Sequence, residues 1–261
     1  MPARGGFSDR VYDDEDIFSP VLYPRMRAEP LLNDADELVI PVRKAGGPHF
    51  RRIGRPSFGT RVGAREKDPT HDQCVRVLCD HLSSKDTAKV SISIYVFDEN
   101  RKIEEQVIFS TLAGSDYRWF MESTARVGFH DDKYIQPDLS GRDANKFFPT
   151  SSSPNVIIEV IRTHIPELET FRRLQELSKT NTLVVFYFID QRESGSKINN
   201  RRLDGDHLTL RVSRYMVGGE LYVNGAPVNA KQPNESFEDW YGYLSNTFFN
   251  DGMKLAKDAK K

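Results

Sequence analysis

Asn155-Val-Ile-Ile-Glu-Val-Ile161 and Leu183-Val-Val-Phe-Tyr-Phe-Ile189 are the two stretches on which the fold turns. Each is a nearly continuous apolar run, the pattern of a strand covered on both faces. Between them, Pro166 opens a helical pattern through Leu168, Phe171, Leu174 and Leu177. Strand, helix and strand in immediate succession form a βαβ unit, so the two strands are predicted to be parallel neighbours joined by a right-handed crossover.

Upstream, Asp68-Pro69 has the form of a helix start. His71, Cys74, Val75, Leu78 and Leu82 then fall on one face, which predicts a helix over about 69–84. Val90, Ile92, Ile94 and Val96 alternate with polar neighbours and lead through Asp98-Glu-Asn-Arg101 into 103–110, the pattern of a β-hairpin. Residues 115–125, with Trp119, Phe120 and Met121, read as a short helix. Residues 133–139 read as a strand ending at Pro137-Asp138, with Ser140-Gly-Arg-Asp143 as the turn after it. Downstream of a polar loop over 191–206, a hairpin pairs 208–215 with 220–223, and a last helix over 235–256 is expected to kink near Gly252.

Residues 1 to about 36 mix acidic runs, prolines and arginines without an apolar period, which predicts an extended arm. Leu38-Val-Ile-Pro-Val42 fits an edge strand, because Pro41 lacks a ladder donor. A turn-rich basic loop, 46–56, follows. The expected organisation is an arm and basic loop over 1–65 and one α/β domain over 66–261, with its core at 66–190 and a C-terminal extension at 191–261.

The chain of 261 residues suits one substantial domain or two small ones. No window approaches the run of about 20 apolar residues that crosses a bilayer, and the start has no apolar leader core, so no membrane role and a cytoplasmic protein, cellular or encoded by a phage or mobile element, are expected. Cys74 and Cys79 do not make a disulfide framework and fit buried small side chains. A net charge of −1 argues against charge-driven nucleic-acid binding by the whole molecule, leaving local basic patches. No Gly-rich phosphate loop, CxxC pair or Gly-x-Ser-x-Gly elbow is present, which excludes the common nucleotide-binding, zinc and serine-hydrolase signatures.

Glu159 is the least expected residue, since a carboxylate inside an apolar strand needs a cation, a metal or a hydrogen-bond donor. Asp138 precedes it on a strand placed to lie alongside. Two converging carboxylates suit a hard divalent cation such as Mg²⁺.

With these residues the chain resembles the PD-(D/E)xK, restriction-endonuclease-like nuclease superfamily over about residues 66–190. Gln136-Pro137-Asp138 stands at the PD position and Glu159-Val160-Ile161 at the (D/E)xK position. Within the superfamily it is most similar to CoiA-like competence proteins, whose His-Phe-Arg segment, early-helix histidine and Glu-x-x-x-Thr-His strand are matched by His49-Phe50-Arg51, His71 and Glu159 to Thr163-His164. The resemblance implies an α/β fold with a mixed sheet flanked by helices, and metal-assisted phosphodiester hydrolysis with Asp138 and Glu159 on Mg²⁺. The family lysine is replaced by Ile161, so a positive charge must come from Arg142, His71, Arg162 or His164, or catalysis has been lost. His49, Arg51, Arg52, Arg55 and Arg142 are the expected nucleic-acid contacts.

Plainer readings stand beside these. Asp138 fits a turn, Glu159 an ion pair with Arg172 or Arg173, His71 a core histidine, His164 a helix entry, and Trp240, Tyr241 and Tyr243 core packing. The functional alternatives are a catalytically inactive nuclease-fold binding or assembly protein, and a structural component of a phage-like complex whose arm orders on a protein partner or another copy.

Overall fold

A computed structural model describes residues 2–34, 37–44, 46–53, 59–64, 68–97, 100, 102–190, 196 and 198–257. It is mixed α/β, built mostly of strands in several sheets with a few helices. The chain divides into two compact units, residues 1–60 with 128–134, and residues 61–127 with 135–261.

In the first unit, β1 (Ala3–Gly5), β2 (Val11–Tyr12), β3 (Leu31–Leu32), β4 (Leu38–Val42) and β5 (His49–Arg52) form an antiparallel sheet in the order β2-β1-β3-β4-β5, with α1 (Leu22–Met26) alongside in sequence. Tyr12, Ile17, Met26, Leu31, Val39 and Phe50 make its core. The expected extended arm is therefore a folded unit. Strands of two to five residues are too short to show a period, and the core residues meet only through long-range contacts. β4 is an inner strand, contrary to the edge expectation. Yet β3 pairs only with Leu38 and Val39, so Pro41 faces no ladder partner on that side and its missing N–H costs nothing there.

The remaining elements, in chain order, are β6 (Thr60–Arg61), α2 (Pro69–Leu82), β7 (Lys89–Phe97), β8 (Ile103–Ser110), β9 (Tyr117–Met121), β10 (Val127–Gly128), β11 (Lys133–Ile135), β12 (Leu139–Asp143), β13 (Asn155–Ile161), α3 (Leu168–Ser178), β14 (Thr182–Phe188), β15 (Asn200–Asp204), β16 (His207–Arg211), β17 (Arg214–Val217), β18 (Glu220–Val223), β19 (Ala226–Pro227), α4 (Phe237–Leu244) and α5 (Asp251–Lys257). A seven-stranded sheet runs β19-β18-β17-β14-β13-β12-β9, and a four-stranded sheet β15-β16-β7-β8. β13 and β14 are parallel, as the βαβ reading requires, and β12 is antiparallel to both β13 and β9.

Alternation along β13 gives its two faces different tasks. Val156, Ile158 and Val160 join Cys74, Val75 and Leu78 of α2 and Ile92 and Leu210 of the four-stranded sheet in the main core. Ile157, Glu159 and Ile161 share the opposite face with Val184, Phe186 and Phe188 of β14. Phe186 packs edge-on against Phe248 and Phe249, and Phe249 meets Phe171 of α3.

Four local expectations need correction. Residues 117–121 form a strand, with a 3-10 turn over Glu122–Ala125, where a helix was expected. The strand expected over 133–139 ends at Ile135, and Ser140 to Asp143 belong to β12, which starts just after Asp138. Gly141 is strand here because the Trp119 ring lies over it: a Cβ at Gly141 would stand 2.5 Å from that ring. The segment 208–215 splits between sheets, β16 running parallel to β7 while β17 alone pairs with β18 around Gly218 and Gly219. The last helix starts at Phe237, not 235, and its irregularity is a π-helical stretch, Ser245–Asn250, just ahead of Gly252. The predicted turn at 98–101 lies mostly outside the described residues.

Candidate functional site

β12 and β13 pair with Leu139 opposite Ile158 and Ser140 opposite Ile157. Asp138 is the residue just before β12, at the end of that ladder and beside the strand that carries Glu159. The ladder does not simply fray at Asp138. Its Oδ2 accepts a hydrogen bond from the Val160 amide at 2.8 Å, so the side chain continues the pairing where the backbone stops.

The same Oδ2 lies 3.1 Å from His71 Nε2, and His71 Nδ1 lies 3.2 Å from Asp72 Oδ1. His71 is held there by the start of α2. Asp68 caps the helix by accepting from the amides of Thr70 (2.9 Å) and His71 (3.2 Å), with Pro69 preset for the first turn. The buried stripe Cys74, Val75 and Leu78 then fixes the helix on the sheet. His71 is 5% exposed, so the plainer reading of a hydrogen-bonded buried histidine and the reading of a site residue describe the same side chain.

Asp138, Glu159, His71 and His164 line one cavity of about 440 Å³, all within the second unit. Burial, followed by the negative charge of Asp138, pushes the Glu159 carboxyl well above the usual carboxylate range, with His71 and Arg61 pulling in the other direction. No described residue donates a hydrogen bond or ion pair to that carboxylate, and Arg172 and Arg173 pair instead with Glu238, Glu169 and Glu176. The structural ion pair weighed for Glu159 is therefore not formed.

Other predicted residues lie elsewhere. Arg162 pairs with Asp68 and donates to the Asp190 carbonyl, so it braces the start of α2 and does not line the cavity. This follows from its place one residue past Ile161, on the other face of the strand direction. Arg142 stacks over the Phe120 ring at 4.9 Å, away from the cavity lining. His49, Arg51 and Arg52 belong to β5 in the first unit, where Arg52 pairs with Glu37 and His49 Nδ1 lies 3.1 Å from the Gly47 carbonyl. Arg55 lies outside the described residues.

Sequence reasoning missed a short strap, Arg61 to Ala64, that walls the cavity. The Ala64 amide donates to Glu167 Oε1 at 3.1 Å, and Gly63, at φ +81°, packs against Thr170 Oγ1 so closely that a Cβ would stand 2.5 Å from it. Glu167 stands at the N-cap of α3 but turns its side chain to the strap instead of to its own helix. The only signal was a glycine in a basic turn, a pattern that most loops share.

Among the described residues no group of three or more His, Cys, Asp or Glu is arranged to hold a metal ion. Mg²⁺ is commonly bound through one or two carboxylates with water and substrate phosphate completing its shell, and Asp138 and Glu159 line the cavity together. Asp138 Oδ1 accepts no hydrogen bond from the described residues, and Glu159 receives no hydrogen bond or ion pair from them. No described helix is long and apolar enough to cross a membrane. No family profile, curated protein or solved structure matches the chain.

Proposed function

We propose that this chain is a metal-dependent nuclease of the PD-(D/E)xK kind, hydrolysing phosphodiester bonds of nucleic acid at the cavity of Asp138 and Glu159. The observation that carries the reading is the carboxylate pair itself: Glu159 lines one cavity with Asp138, whose charge it feels, and has no hydrogen-bond donor of its own among the described residues, an arrangement that costs stability unless a cation joins it. The order of elements supports the restriction-endonuclease-like fold. After α2 and the β7–β8 hairpin of the four-stranded sheet come β9 and β12, antiparallel neighbours separated in sequence by the short β10 and β11, then β13 antiparallel to β12, α3 and the parallel β14, with one acid at the entry to β12 and the other within β13.

Asp138 and Glu159 would hold Mg²⁺, which when bound lowers the pKa of its water and offsets charge on the phosphoryl oxygens. The chain's own residues set the stage for this. The Val160 amide and His71 fix one oxygen of Asp138, leaving Oδ1 turned to no other partner. Asp72, on the far nitrogen of His71, sets the ring's orientation. The wall made by the strap and the start of α3 shields the pair on one side, so charges there act through a less polar medium than bulk water.

Ile161 favours a second reading, a binding protein that keeps the fold without the chemistry: it shares the Glu159 face and is 2% exposed, so no strand-borne cation stands beside the pair. Incubation with single- and double-stranded DNA in Mg²⁺ or Mn²⁺, against EDTA and Glu159→Ala, separates the two. Metal-dependent cleavage by the parent protein alone is expected. No cleavage, or equal cleavage by both proteins, removes the enzymatic reading.

A further inference from the structure

We propose that Arg61 is the phosphate-binding cation of this site, delivered from the strap rather than from the strand that carries Glu159. The inference rests on the nuclease reading above. Hydrolysis of a phosphodiester places negative charge on oxygens beside two carboxylates, and a fixed cation aimed at those oxygens stabilises that charge far more in a walled cavity than in water. Ile161 does not supply it. Arg162 is committed to Asp68 and the Asp190 carbonyl, and Arg142 lies over Phe120.

Arg61 lines the cavity with Asp138 and Glu159. Its side chain makes no hydrogen bond or ion pair with any described residue, and its Nε is buried without a partner. An arginine left unpaired within reach of an unpaired carboxylate is costly as a purely structural feature, and its planar fork suits the oxygens of a phosphate. The strap fixes where it stands, through Ala64 on Glu167 and Gly63 against Thr170. Arg76, exposed on α2, adds positive charge at the rim of the same cavity.

The test uses the full chain and a fluorescein-labelled single-stranded DNA oligonucleotide as probe. Arg61→Ala and Arg61→Gln should lower kcat by about a hundredfold and weaken binding of the oligonucleotide in Ca²⁺ at least tenfold, while Mn²⁺ affinity stays level or rises because a like charge has gone. Arg61→Lys should recover part of both losses. Gly63→Ala, which keeps the charge but displaces the strap, should lower kcat with the fold retained by circular dichroism. Oligonucleotide binding and cleavage by Arg61→Ala at parent levels, with only thermal stability changed, would make Arg61 a structural counter-charge and overturn the proposal. If the parent protein itself neither cleaves nor binds, the nuclease reading fails first and this inference falls with it.

Discussion

The Val160 amide donates to Asp138 Oδ2 at 2.8 Å, and this one bond ties the entry of β12 to the strand that carries Glu159. It fixes the acid whose charge helps push the Glu159 carboxyl upward. The site is thus built from a ladder end, where a side chain takes over from backbone pairing and two like charges are brought together at a cost.

That cost gives a first prediction. A carboxyl whose folded pKa is raised binds its proton longer in the folded state than in the unfolded one, so stability falls as pH climbs above the ordinary value of 4.5. Glu159→Gln removes the conflict while keeping the shape. Without metal near pH 8 it should melt about 2–6 °C above the parent, the range expected when a strained functional residue is relieved. Mg²⁺ or Mn²⁺ should raise the parent Tm but not the variant's. A variant less stable than the parent in EDTA would show that Glu159 is structurally satisfied.

Gly141 underlies a second prediction. With the Trp119 ring over its α-carbon, Gly141→Ala puts a methyl about where ring atoms now stand, 2.5 Å from the nearest. The ring must move or β9 and β12 must separate, at a cost of about 1–3 kcal/mol. Because β12 positions Asp138, metal affinity should fall together with Tm. Unchanged near-ultraviolet dichroism and unchanged chemical denaturation would refute the packing argument.

The same glycine marks a limit of sequence reading. The βαβ unit was legible because β13 and β14 are buried on both faces and Pro166 punctuates the link, and the β7–β8 hairpin was legible because one of its faces is polar. β9 was not, since Trp119, Phe120 and Met121 suit a helix or a strand equally, and only pairing with β12 decides between them. Ser140-Gly-Arg-Asp143 has turn chemistry in isolation and becomes strand under Trp119. Asp138 and Glu159 were visible as oddities of composition, whereas Arg61 reaches the site through a contact between Ala64 and Glu167, distant in sequence and carried by no pattern.

In the first unit, Glu29 accepts hydrogen bonds from the amides of Phe7 and Ser8, from Ser8 Oγ and from Tyr12 OH, all between 2.8 and 3.1 Å. The Ser8 hydroxyl contributes most to lowering its carboxyl from 4.5 to about 2. A depressed carboxyl stabilises the fold above its unfolded value, and that contribution is lost as pH falls from about 4.5 through about 2. Glu29→Gln should therefore speed exchange of the Phe7 and Ser8 amides at pH 6 and flatten the acid dependence of the unit, as read by NMR. Exchange at the parent rate would show that the loop over 5–12 is held by its backbone alone.

Arg162 and Asp68 separate bracing from chemistry. Their ion pair joins the exit of β13 to the cap of α2, and the cap places His71 on Asp138. Against the cost of its burial, the amides of His71 and Thr70 and the Arg162 guanidinium keep the Asp68 carboxyl below its ordinary value. Asp68→Ala removes both the helix cap and the pair, and should cost about 1–2 kcal/mol while lowering any metal-dependent activity through a displaced His71. Arg162→Ala leaves the cap bonds in place. It should lower Tm by only a few degrees, at about 2–4 °C per kcal/mol, with kcat and KM close to parent values. A large fall in kcat for Arg162→Ala at unchanged Tm would instead return Arg162 to the reacting centre, and would mean that its guanidinium leaves Asp68 when substrate binds.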